Sequence, residues 1–220
     1  MSRSNSTRLQ LEMETRTYRL KGITPILGGL PASKAVYTQY VASKAPNPHD
    51  DDEIIENLRE IEEKGVTVFA RDRREHLCIL GRHMKGYMKE ALLALKAQYD
   101  IGSLKNKVDT LFFVDPLFIP FKRGGNPIID EDEMLERPLR ADTPMGPRVA
   151  LQSSEMILDP WEVEFEVTLF PNKGSTSKKN LCWEAIELAF DYGAYHGIGQ
   201  WRNGDYGKFI WERIDEEDDE

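Results

Sequence analysis

Cysteine is nearly absent from this 220-residue chain: Cys78 and Cys182 lie far apart, each inside an apolar run. Their separation matches no zinc or redox spacing, so both are expected as buried free thiols in a reducing, cytoplasmic setting. Long hydrophobic runs are missing too. Nothing approaches a membrane span, and the opening Met1-Ser-Arg-Ser-Asn-Ser-Thr lacks the apolar centre of a secretory signal, so no membrane partner is expected. The four histidines, His49, His76, His83 and His196, stand apart with no His-Glu-x-x-His pattern. No metal site and no cofactor are therefore expected. The serines form no nucleophile elbow and neither cysteine has an electropositive context, so no catalytic residue is assigned.

The charge balance is acidic, with 29 Lys and Arg against 38 Asp and Glu and a net charge of −9, but its distribution matters more than its sum. The last six residues, 215–220, are all acidic and read as a solvated tail. A second cluster, Asp50-Asp51-Asp52-Glu53, precedes a helical pattern, where negative charge favours the free amides of a first turn. The remaining body is close to neutral and has room for a basic groove.

Residues 1–14 read as a disordered arm and 15–214 as a single domain. A first strand is expected from Thr17 to Leu27, stopped by Gly28-Gly29, and helices over 32–44 and 52–64. Strands follow at Val66–Ala70 and His76–Leu80. Gly81 then turns the chain into an amphipathic helix from Met84 to Tyr99, with Met84, Met88, Ala91, Leu92 and Leu95 inward. Thr110–Val114 and Leu117–Phe121 read as strands. The segments 135–140 and 148–158 flank a Pro- and Gly-rich bend and suit a long hairpin arm. Trp161–Phe170 alternates as a half-buried strand, a helix spans 177–191, and Tyr206–Ile214 closes the chain as a strand. Helices and strands mix without regular alternation, which points to an α+β fold with a largely antiparallel sheet.

One segment is unlike the rest. From Gly193 to Phe209 the chain places five glycines (Gly193, Gly197, Gly199, Gly204, Gly207) among Tyr195, Trp201, Tyr206, Arg202 and Lys208. It follows a helix and precedes a strand, which is the reverse of a dinucleotide fingerprint, and no Gly-Lys-Ser/Thr triplet ends it as in a Walker loop. Two uses remain open. The glycines can bring backbone amides to phosphates while the aromatics stack on bases, or they can permit a tight connection with Trp201 and Tyr206 in the core.

The run Leu77-Cys-Ile-Leu-Gly81-Arg82-His83-Met84-Lys85-Gly86-Tyr87-Met88-Lys89 resembles the strand, glycine turn and helix of the RAMP superfamily of CRISPR systems. Leu20 to Gly29 is similar to that family's first strand and turn. Gly197-Ile-Gly199 with Gly204-Asp-Tyr206-Gly207-Lys208 resembles its C-terminal glycine-rich signature. The resemblance implies a modified ferredoxin-like or RRM-like antiparallel sheet with helices and an inserted hairpin arm. It also implies the role of the Cas7-like backbone subunits: binding of single-stranded guide-type RNA along its phosphates, without cleavage, in a cytoplasmic antiviral assembly with copies of itself or other ribonucleoprotein subunits.

On this reading Gly81, Lys85 and Gly86 form one phosphate-facing turn and Gly197, Gly199, Gly204 and Gly207 a second, while Arg82, Lys89, Arg140, Arg148, Arg202 and Lys208 neutralise the RNA backbone. Two alternatives stand beside it. One is a metal-independent endoribonuclease of the same superfamily with His83 or His196 as general acid. The other is a phage or mobile-element assembly or interference protein acting through protein contacts.

Overall fold

The computed structural model describes residues 12–32, 65–99, 104–143, 146–170 and 181–214. The helices expected over 32–44 and 52–64, the Asp50–Glu53 cluster and the acidic tail lie outside the described residues. Five segments build the central unit: strand β1 (Glu14–Gly22), helix α1 (Gly81–Tyr99), the adjoining strands β7 (Phe112–Asp115) and β8 (Phe118–Arg123), and strand β12 (Glu162–Leu169). Helix α3 (Trp183–Asp191) and strand β13 (Phe209–Arg213) complete it. The sheet runs β13-β1-β12 and then β7 and β8, all antiparallel. That is the βαββαβ order of a ferredoxin-like sheet, with α1 and α3 as its two helices.

Strand β6 (Leu77–Leu80) extends this sheet beyond β8, and β5 (Ala70–Arg71) beyond β6. Strand β9 (Asn126–Pro127) turns back on β8 at Gly124-Gly125. A second sheet holds β2 (Ile26–Leu27), β3 (Leu30–Pro31), β4 (Gly65–Val68) and the long hairpin of β10 (Glu133–Thr143) and β11 (Gly146–Ile157). The inserted hairpin arm is thus present, placed between the second and third strands of the ferredoxin-like order.

Alternation explains β12: Val163, Phe165, Val167 and Leu169 are buried, and the residues between them face the other way. Tyr18 and Leu20 of β1 join the same core. The Tyr18 hydroxyl donates to Glu187 of α3 at 3.0 Å, and the Tyr87 hydroxyl donates to the Ala189 carbonyl at 2.6 Å, tying α1 to α3. Trp161 is fully buried, and a Cβ on Gly22 would meet its ring at 2.1 Å, so only glycine fits there.

The opposite face of β1, β8, β12 and β13 carries an ion-pair lattice: Arg19 to Glu164 and Glu212, Lys21 to Glu212, and Lys122 to Glu164. The hydrogen bond from Lys122 leads the effects that pull the Glu164 carboxyl below its usual range, with Arg19 adding to it. An RRM stacks bases on aromatics on this face. Charged pairs occupy it here, so the ferredoxin-like topology does not by itself bring RRM chemistry.

Several boundaries differ from the sequence reading. β1 begins at Glu14, inside the expected arm, because the Glu14 carboxylate accepts the Trp183 indole N–H at 2.6 Å. The expected first strand, Thr17 to Leu27, breaks after Gly22, and its last two residues, Ile26 and Leu27, form β2 of the second sheet. Phe69 interrupts β4 and β5 because its N–H goes to the Glu155 carboxylate at 2.7 Å instead of to a strand. A short helix α2 (Lys105–Leu111) stands where a strand was expected to start. Cys78 is buried, and burial pushes its thiol up to about 11, whereas Cys182 is only half-buried. Among the described residues no helix is long and apolar enough to cross a membrane, and no three His, Cys, Asp or Glu side chains gather as a metal cluster.

Candidate nucleic-acid interface

Strand β6 runs directly into α1 at Gly81, whose N–H donates to the Leu117 carbonyl at 3.0 Å. The expected Gly81-to-Gly86 turn is therefore the first turn and a half of a helix. Strand and helix follow without a loop because the core-facing residues Met84, Tyr87 and Met88 already fall at helical spacing from the strand's end. Arg82, Gly86 and Glu90 make one stripe at i, i+4 and i+8, and with His83 and Tyr87 they line a cleft of about 270 Å³. Lys85 and Lys89 lie on a different stripe. Lys85 sits 4.5 Å over the Phe113 ring, and Lys89 pairs with Asp109 of α2, so neither lines the cleft.

The other wall comes from the glycine-rich segment. Helix α3 passes into the single turn α4 (Gly193–His196), and the chain then reverses through positive φ at Gly197, Gly199, Trp201, Asp205 and Gly207. Ile198 is its buried anchor. The Ile198 N–H donates to the Gly207 carbonyl at 2.8 Å, the Gly207 N–H to the Pro25 carbonyl at 2.7 Å, and the Lys208 N–H to the Thr24 hydroxyl at 2.9 Å. The loop is thereby zipped to the turn after β1. Gly199, Gln200 and Arg202 reach the cleft, so the two glycine-bearing segments, more than a hundred residues apart, converge on one depression.

The amides modify the sequence reading. Those of Gly197, Gly204 and Gly207 are spent on the carbonyls of Gly193, Trp201 and Pro25. These three glycines serve close approach of the protein to itself rather than to a phosphate: a Cβ would lie 2.5 Å from the Tyr206 carbonyl oxygen at Gly197 and 2.8 Å from the Trp201 ring at Gly204. Lys208 is paired with Asp205 at 2.6 Å. Arg140 and Arg148 lie on the hairpin strands, within two residues of opposing each other; their side chains are outside the described residues.

What the sequence did not single out are the partners Glu90, Gln200 and Arg137, which gather around the singled-out residues on and beside the cleft. Glu90 accepts from both terminal nitrogens of Arg202, the second at 3.2 Å, and stands 3.4 Å from His196 Nε2. Arg202 thus enters the cleft with its charge partly countered, whereas Arg82 has no carboxylate partner among the described residues. Trp201 and Tyr206 stack on each other at 5.2 Å with an angle of 16°, and the guanidinium of Arg137 lies 4.6 Å over the Trp201 ring. With its amide oriented to suit its neighbours, Gln200 donates to Thr67 and to the Gly28 carbonyl and accepts from Gln152 and from Arg137 Nη2 at 3.2 Å. Arg137 is 5% exposed, and its Nε and Nη1 find no hydrogen-bond partner, so burial pulls its pKa down. The aromatic pair therefore holds the hairpin root to the glycine loop, although Trp201 remains 42% exposed. The spacing of Arg82, Gly86 and Glu90 was the available signal for Glu90; nothing local in the sequence marks Arg137.

His83 faces the same cleft. Burial, and then the neighbouring Arg82, hold its pKa down to about 4 against an ordinary value of 6.5. The ring is neutral near pH 7, so it accepts a proton but has none to give as an imidazolium. Because the unfolded chain takes up this proton first, stability contributed here is intact above about pH 6.5 and is lost as pH falls towards 4. A His83→Gln variant is expected to flatten the decline of Tm between pH 6.5 and 4.5. An unchanged acid limb would mean that His83 is not the group responsible.

No family model matches the chain, and no curated protein matches it. Among solved structures, a chain of a Type IV-B CRISPR complex aligns over 92% of this chain and 91% of its own, at 10% identity and a TM-score of 0.45.

Proposed function

We propose that this protein binds single-stranded RNA along its phosphate backbone, without cleaving it, as a subunit of a CRISPR-like ribonucleoprotein assembly. The observation that carries the reading is Gly86. A glycine inside a helix costs about 1 kcal/mol relative to alanine. At Gly86 a Cβ would meet nothing within 4 Å among the described residues, so packing does not account for it. It lies on the cleft wall between Arg82 and Glu90, where the missing side chain lets a ligand backbone approach the helix closely.

The sheet order, the hairpin insertion and the resemblance of the 77–89 and 197–209 segments to the RAMP superfamily support the same reading. Arg82, with no carboxylate partner among the described residues, supplies one charge to a phosphate, and Arg202 a second one that Glu90 positions. Gly199 keeps the opposing wall low. The apolar floor, which includes Ile79, Phe121 and Ile198, suits a base or ribose rather than a second phosphate.

Filter binding of a labelled single-stranded RNA over a range of salt tests the reading. Wild type should bind with an affinity that falls as salt rises. Arg82→Ala with Arg202→Ala should weaken binding and reduce the salt slope by about 1.4, two contacts at roughly 0.7 each for a single strand. Full-length RNA should be recovered after incubation. If the double variant binds like wild type at every salt concentration, the cleft is not the RNA site.

A further inference from the structure

A second basic surface lies on the β5–β6 hairpin and shares no residue with the cleft. Its open groove of about 780 Å³ is lined by Arg71, Arg73, Arg74, His76, Phe118 and Pro120, among others. The turn that displays the arginines is held rigidly. One oxygen of the Asp72 carboxylate accepts the N–H groups of Arg74 at 2.8 Å and His76 at 3.0 Å; its other oxygen stands 2.9 Å from His76 Nδ1. The Asp72 N–H donates to the His76 carbonyl at 3.1 Å, and Glu75 adopts φ 62° to close the turn. The acidic residue in the groove is thus occupied by the turn itself.

Arg71 is also occupied, by Glu155 at 3.3 Å, Glu131 at 3.6 Å and the Ile129 carbonyl at 2.6 Å. Arg73 and Arg74 are different: both are exposed, and neither side chain has a partner among the described residues. On the adjacent strand β8, Phe118 and Pro120 point away from the core that Ile119 and Phe121 enter, and Phe118 is 41% exposed. Two exposed guanidinium groups on a hydrogen-bonded turn beside an exposed ring combine phosphate contact with base stacking.

We infer that this groove is a second binding site for single-stranded nucleic acid, with Arg73 and Arg74 on the phosphates and Phe118 against a base. An acidic peptide would satisfy the two arginines but leave Phe118 facing water, which is why the nucleic acid is favoured. The inference does not depend on the cleft. The chain then holds two strands, or two stretches of one strand, on separate surfaces.

The test is a titration of the full chain with fluorescently labelled oligouridine and oligothymidine of fifteen nucleotides, read as anisotropy and as saturating stoichiometry. Wild type should take up two short strands per chain. Arg73→Ala with Arg74→Ala should take up one, with loss of one phase of binding and a total salt slope smaller by about 1.4. Phe118→Ser should weaken the same phase about tenfold. Arg73→Lys with Arg74→Lys should restore part of it, and unchanged Tm in each variant excludes misfolding. Arg82→Ala with Arg202→Ala should leave this phase intact, so failure of the cleft reading and failure of the groove reading give different patterns. Uptake unaffected by the Arg73, Arg74 and Phe118 changes overturns the inference. So does selective binding of the hexapeptide of residues 215–220 at Arg73 and Arg74 with no competition from the oligonucleotides, which would make the groove a protein-docking site.

Discussion

Replacing Gly207 with alanine is expected to destabilise the fold by about 3–4 kcal/mol and to lower Tm by about 6–16 °C. The residue sits at φ 73°, which a side chain tolerates poorly, and its new Cβ would lie 1.8 Å from the Ile198 carbonyl oxygen. That oxygen belongs to backbone, so no rotamer change relieves the contact. Opening the loop to make room breaks the Ile198-to-Gly207 and Gly207-to-Pro25 hydrogen bonds and loosens the zipper between the C-terminal loop and the turn after β1. Because Ile198, Gly199, Gln200 and Arg202 hang from that zipper, RNA binding at the cleft should be lost with it. Thermal unfolding followed by circular dichroism checks the effect. A Tm within 2 °C of wild type, as an order-of-magnitude threshold, would mean that the loop accommodates the methyl group and is not the rigid wall described.

Gly86→Leu should do the reverse to stability and damage binding. Leucine is a better helix former than glycine by about 0.8–1 kcal/mol, and nothing within 4 Å obstructs its Cβ, so Tm should rise by about 2–4 °C. The same side chain would project from the cleft wall beside Arg82 and hold a phosphate backbone away. RNA affinity at the cleft should fall at least about tenfold, or 1.4 kcal/mol. The two effects separate the readings cleanly. A more stable protein that binds RNA as before would show that Gly86 does not face the ligand, while a less stable one would mean that the helix surface is covered. The pairing also illustrates why a site can retain a residue that its helix disfavours.

The α+β class and the antiparallel sheet were legible because β12 and β6 carry their pattern locally. Val163, Phe165, Val167 and Leu169 alternate wherever the strand is placed, and Leu77 to Leu80 is an unbroken apolar run that belongs in a sheet interior. The hairpin arm was legible from its bend chemistry. Less visible were the breaks. Phe69 leaves its strand because of a carboxylate eighty-six residues away, and α2 forms where apolar Val108 and Phe112 fit either a helix or a strand. Short elements take their state from what they touch.

Sequence alone therefore picked out two candidate segments: the 197–208 run by its composition and the 81–86 run by its resemblance to the RAMP superfamily. Only the tertiary structure decided what their residues do. Gly207 and Gly86 look equivalent along the chain, yet one is pressed against a carbonyl oxygen and the other opens on a cleft. Lys85 and Lys89 sit three residues from Arg82 and one residue from Glu90, yet the helix turns them towards Phe113 and Asp109. Arg202, read as a free cation, meets Glu90 from a helix more than a hundred residues earlier. The physical reason is the same in each case. Composition sets what a residue is able to do, whereas charge pairing, the accessibility of an amide and the space beside a Cα depend on neighbours brought together by folding.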